Sequence, residues 1–169
     1  MTHPLPSSLL QERRAIRALT LPGLIRLVTE IDDNGPISHR RGSLLGAFGD
    51  LTRAQLRRAI NTARDLGLVH ADQQAPDRYR LTAAGEHLAE VYDTAARWAR
   101  SHQFPSASSD FVTRVQHTFQ LQGSEPTSAG SGHSAPQEAL SEWLTAHPRV
   151  LHQEGACSFG AAEESGLAA

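Results

Sequence analysis

A mainly α-helical fold with a small β-hairpin wing is predicted by three features of the stretch 50–87. The first is Thr52 followed three residues later by Gln55, the spacing of a capping box, ahead of a helical run that Gly67 closes. The second is the turn-rich segment 71–77, lying between Leu66, Gly67, Leu68, Val69 and the extended pattern Tyr79, Arg80, Leu81. The third is Thr82 at the head of a long apolar-periodic run. Helix, hairpin and helix in that order are the layout of a winged helix-turn-helix. Beyond residue 102 the composition shifts, and a largely flexible C-terminal extension is expected.

Winding 52–66 at 3.6 residues per turn gathers Leu56, Ala59, Ile60, Ala63 and Leu66 on one side. Ala54, Arg58, Asn61 and Asp65 stand opposite, with Arg53, Arg57 and Arg64 along one edge and Gln55 and Thr62 along the other. Arg, Gln and Asn are the side chains whose forks and amides match guanine and adenine edges in a major groove. Such a face also suits an ordinary solvated helix. The hairpin and second helix that follow favour the DNA-reading alternative.

At 169 residues the chain has room for one ordinary domain plus extensions. It contains no lysine, and all 16 basic residues are arginine, which weakens arginine abundance as a functional signal. Residues 1–100 carry 14 Arg against 11 acids (+3), while 101–169 carry 2 Arg against 7 acids (−5). DNA affinity would therefore need a local patch rather than a basic chain. The single cysteine, Cys157, excludes an internal disulfide and suits a reducing cytoplasm. No apolar run has membrane-span length, and the N-terminus lacks a signal-peptide core, so a cytoplasmic protein is expected.

The remaining elements follow in order. Ser8 and Gln11 offer a second capping-box spacing, and Leu9, Ile16 and Leu19 form a stripe, giving an N-terminal helical extension over 1–19. Pro22 opens a strongly apolar helix bearing Leu24, Ile25, Leu27, Val28 and Ile31, which Asn34 and Gly35 stop. A short helix over roughly 38–48 turns Leu44, Leu45 and Phe48 inward and sets Arg40 and Arg41 near its start, where phosphate contact is expected. Ser43 sits in an arginine-flanked string of the kind basophilic kinases use, a short match of low specificity. Arg78 and Arg80 alternate with Tyr79 and Leu81, so both face one side of the second strand; the turn tip carries Asp72 and Asp77 and no arginine. Leu88, Val91, Tyr92, Ala95, Trp98 and Ala99 recur along the last long helix, which either folds back on its own core or pairs with the same helix of a second chain. The winged-helix domain is thus placed at 20–102. An acidic extension follows at 103–169, with Gly/Ser/Pro-rich 123–136 and short helices at 111–121 and 137–146, the latter bearing Leu140, Trp143 and Leu144.

The stretch 79–88, with Leu81, Thr82 and Gly85 in a Leu-Thr-x-x-Gly turn, and the helix-to-strand junction at 66–69 resemble the HxlR and MarR-type winged-helix transcriptional regulators of bacteria. The resemblance spans about 20–100, and its motifs are shared by several winged-helix families. It implies a homodimer, a recognition helix in the major groove and wings on flanking double-stranded DNA. Arg53, Gln55, Arg57, Arg58 and Asn61 are then expected to read or approach bases, and Arg40, Arg41, Arg64, Arg78 and Arg80 to hold phosphate. Dimerisation is assigned to Leu88, Val91, Tyr92, Ala95, Trp98 and Ala99.

Enzymatic motifs do not emerge. The nine histidines include no HxxxH pair, and there is no cysteine cluster, phosphate-cradling glycine loop or Gly-x-Ser-x-Gly elbow. No cofactor, metal or catalytic role is expected. Two alternatives stay open beside the DNA-binding regulator. One is a winged-helix protein-interaction module using the C-terminal extension. The other is a regulator with a small-molecule effector held between dimer helices.

Overall fold

A computed structural model of the chain describes residues 7–38, 40, 44, 46–121 and 135–152. It is mainly helical with a small three-stranded antiparallel sheet. In chain order the elements are α1 (Ser7–Leu19), α2 (Pro22–Asn34), β1 (Ile37–Ser38), α3 (Arg53–Asp65), β2 (Val69–Ala71), β3 (Arg78–Leu81), α4 (Ala83–Ser101), α5 (Phe111–Gln120) and α6 (Ala135–Ala146). A 3-10 turn, Pro148–Val150, follows α6. Arg41, Ser43, Leu45 and Cys157 lie outside the described residues.

Helix α2 is the central element. Pro22 sits in its first turn, where the missing N–H costs nothing, and Gly35 ends it with a positive φ of 81°. Leu24, Ile25, Leu27 and Val28 are essentially inaccessible to solvent. One side of α2 packs on α3, the other on α4 and α5. The approach to α3 is close enough that a Cβ on Gly23 would stand 3.2 Å from the Ala59 methyl and from the Gln55 carbonyl oxygen.

In the sheet β3 is the middle strand, pairing with β2 (Val69↔Leu81, His70↔Arg80, Ala71↔Tyr79) and with β1 (Ile37↔Tyr79, Ser38↔Arg78). Strand β1 departs from the expected helix over 38–48, whose described residues Leu44, Gly46 and Ala47 alone are helical. Ser38 instead supplies a third strand that brings Arg40 beside the hairpin. The junction of sheet and α4 explains the Leu-Thr-x-x-Gly pattern physically. The Thr82 hydroxyl donates to the Gly67 carbonyl (2.6 Å) and accepts from the Gly85 N–H (3.2 Å), while the Thr82 N–H donates to the Leu68 carbonyl (2.9 Å). A methyl on Gly85 would overlap that same Leu68 oxygen.

One expectation is corrected at the start of the chain. Helix α1 begins at Ser7, so Ser8 lies inside it rather than capping it, and Leu9 of the expected apolar stripe is 42% exposed. Its anchoring residues are Ala15 and Leu19. The short helices expected at 111–121 and 137–146 are present as α5 and α6. Val115, Phe119, Leu140, Trp143, Leu144 and Val150 join the same buried cluster as α1, α2 and α4. The Gln116 amide donates to the Thr20 carbonyl (2.8 Å), and the Trp143 indole donates to the Ala84 carbonyl (3.0 Å).

Candidate nucleic-acid interface

Helix α3 is held in place from both ends. The Thr52 hydroxyl accepts from the Gln55 N–H (3.2 Å), and the Gln55 side-chain oxygen accepts from the Thr52 N–H (2.8 Å), completing the capping box. Ahead of it, the Arg26 guanidinium donates to both Asp50 oxygens (3.2 and 3.5 Å), also pairs with Glu30 (3.7 Å) and lies over the Phe48 ring (5.8 Å). That arginine, which sequence reasoning did not single out, ties α2 to the turn before α3. Leu56, Ala59 and Ala63 are buried, and Gly67, with φ of 67°, lets the chain leave toward β2.

The opposite face meets solvent. Arg53, Gln55, Arg57, Arg58, Asn61 and Arg64 are all exposed, as the helical winding predicts. Arg53, Arg57, Arg58 and Arg64 carry no ion pair among the described residues. From 53 to 64 the helix rises about 16 Å at ~1.5 Å per residue, so four guanidinium groups without ion pairs among the described residues and two amides occupy about three turns. Gln55 is a partial exception to its expected role, because its carbonyl oxygen is already spent on the cap.

The hairpin arginines are placed differently. Arg78 is exposed and unpaired among the described residues, whereas Arg80 donates to Asp72 (3.2 Å) and Arg40 lies 3.6 Å from Asp77. Asp72 is 8% exposed and also accepts from the Gln74 N–H (3.0 Å), which holds the turn and keeps its carboxyl below the usual range, with Arg80 adding to the effect. Asp72 and Asp77 were visible in the sequence as turn residues; their partners required the strand register. Arg41 lies outside the described residues.

Comparisons with protein-family models, curated proteins and solved structures find no match for this chain. Its own geometry must carry the functional reading.

The residues for which dimerisation is expected are covered within the single chain. Leu88, Tyr92, Ala95 and Ala99 have no solvent exposure, Val91 is buried and Trp98 is half-buried, all within a single chain. Helices α5 and α6 cover them: the Tyr92 ring lies 6.4 Å from that of Phe119, and its hydroxyl donates to the Leu19 carbonyl (2.5 Å). Burial pushes the Tyr92 phenol up, so it stays a neutral donor. The apolar stripe thus folds back on its own core.

Between α2, α4 and α5 lies a groove of about 350 Å³ lined by Arg26, Thr29, Asp32, Asp33, Ala89, Asp93, Phe111 and Val112. Partial burial, then Asp33, Glu86, Glu90 and Asp93 in turn, raise the Asp32 carboxyl above its ordinary value. A raised carboxylate makes folding less favourable once ionised, and the penalty fades as pH falls through its folded value. Asp32→Asn is therefore expected to raise the melting temperature at neutral pH and to lose that advantage in acid. Thermal denaturation at two pH values checks this; a gain that persists in acid would assign it to another cause. Among the described residues no group of three or more His, Cys, Asp or Glu is arranged to hold a metal ion, and no helix is long and apolar enough to cross a membrane.

Proposed function

We propose that the protein is a cytoplasmic, sequence-specific DNA-binding transcriptional regulator with a winged helix-turn-helix layout. In this reading the helical stretch containing Leu44, Gly46 and Ala47 precedes the recognition helix α3, and β2 and β3 form the wing. The observation that carries it is the solvent face of α3, where Arg53, Arg57, Arg58 and Arg64 surround Asn61 without carboxylate partners among the described residues. Exposed arginines left unneutralised on a rigid helix suit a polyanion, and the fork of Arg58 beside the amide of Asn61 suits base edges. Arg53, Arg57, Arg64 and Arg78 are assigned to phosphate or to base approach by their place around that centre. The homodimer implied by the resemblance would need a surface other than the buried stripe of α4.

The test is fluorescence anisotropy with a labelled fragment of the chain's own upstream region, run across a salt series against scrambled DNA. Binding should favour the native fragment and weaken steeply with salt as counterions are displaced. Arg58→Ala should cost about 1–3 kcal/mol of specific affinity, and Arg64→Ala should weaken both DNAs alike with a shallower salt slope. Absence of binding at low salt would move the function to a protein-interaction module.

A further inference from the structure

The two acids of the hairpin turn play unlike parts. Asp72 is buried at the neck, where it bonds the Gln74 N–H and Arg80 and so belongs to the turn's own architecture. Asp77 is half exposed, and what it faces is the Arg40 guanidinium, whose side chain is 82% exposed. The contact is set by the sheet. Pairing of Ser38 with Arg78 fixes the strand before Arg40 against the strand after Asp77, and the Ser38 hydroxyl accepts from the Arg40 N–H (3.2 Å). Neither residue has a second ion partner among the described residues.

We propose that Asp77 is an intramolecular competitor for Arg40. It offsets in the free protein the Arg40 charge that a nucleic-acid phosphate would draw on, so that the Asp77 side of the hairpin restrains polyanion binding. The inference rests on the DNA-binding reading for its biological meaning, but its chemistry concerns any phosphate- or sulfate-bearing polymer. Asp77 meets Arg40 only at Nε, at 3.6 Å, so the competition is electrostatic: the carboxylate offsets the charge that would draw in a phosphate oxygen. Specific binding would then favour sites whose contacts to α3 suffice to displace the contact. Non-specific DNA, which offers phosphate alone, would meet an Arg40 whose charge Asp77 already offsets. An exposed pair of this kind is weak, and the restraint should amount to about a 2- to 5-fold effect.

The experiment is a double-mutant cycle of Asp77→Asn and Arg40→Ala, read by retention on immobilised heparin and by anisotropy with scrambled DNA. Removing any acid raises anion affinity somewhat, so the informative quantity is the coupling between the two sites. Asp77→Asn should bind about 2- to 5-fold tighter, and Arg40→Ala should cancel that gain, costing more in the Asp77→Asn background than in the wild-type chain. Equal losses from Arg40→Ala in both backgrounds, or an Asp77→Asn gain that survives loss of Arg40, would overturn the proposal. Failure of the native chain to prefer its upstream fragment while the heparin cycle still shows coupling would sink the regulator reading and leave the Asp77 contact standing.

Discussion

Replacing Trp143 with alanine is expected to destabilise the entire fold by about 3–5 kcal/mol, the range for truncating a large buried aromatic. The indole is 3% exposed, bonds the Ala84 carbonyl in the first turn of α4 and stacks on His147 at 4.6 Å. Because α4 is also packed against α2 and β3, the loss should reach the arginine face some elements away. Urea unfolding followed by circular dichroism would show a lower midpoint with an unchanged slope, the sign of one cooperative unit. Trp143→Phe should lose less, retaining most of the packing while leaving the carbonyl without its donor. An unchanged midpoint in the alanine variant would mean that α6 is an appendage and that the shared core is not energetically shared.

Gly85→Ala should cost about 3 kcal/mol, at the upper end of overpacking penalties, even though alanine is the better helix former by about 1 kcal/mol. The reversal of sign comes from the Leu68 carbonyl oxygen, which lies where the new methyl would go, with the Leu81 side chain 3.0 Å away on another side. Since that oxygen also accepts from the Thr82 N–H, relief of the clash would pull the hairpin from the start of α4. Gly46→Ala is the control, because among the described residues nothing lies within 4 Å of a Cβ there. Comparable melting temperatures for the two variants would remove close approach as the reason for glycine at position 85.

Short-range signals made much of this legible from the residues alone. The capping box at Thr52 and Gln55, the glycine stops at 35 and 67, and the hairpin turn all follow from interactions within a few residues. The exposed side of α3 was legible for the same reason, since helical winding settles which arginines share a face. Where the apolar stripe of α4 would be buried was not. Leu88, Tyr92 and Ala95 demand cover, but periodicity is identical whether the cover comes from α5 and α6 or from another chain. Strand β1 was missed because two residues leave no alternation to detect. The partners of Arg40 and Arg80 were hidden for a related reason, since they depend on register across β3.

The covering of α4 bears on how the chain can be cut for study. A fragment ending at residue 102 would keep every described arginine of the proposed interface but strip α5 and α6 away. Val91, Tyr92, Ala95, Ala96 and Ala99 would then form a continuous apolar band facing water. Such a band would seek cover by self-association. A dimer observed with that fragment would report an unmasked interior, and the shortest piece suited to measuring stoichiometry extends through Val150.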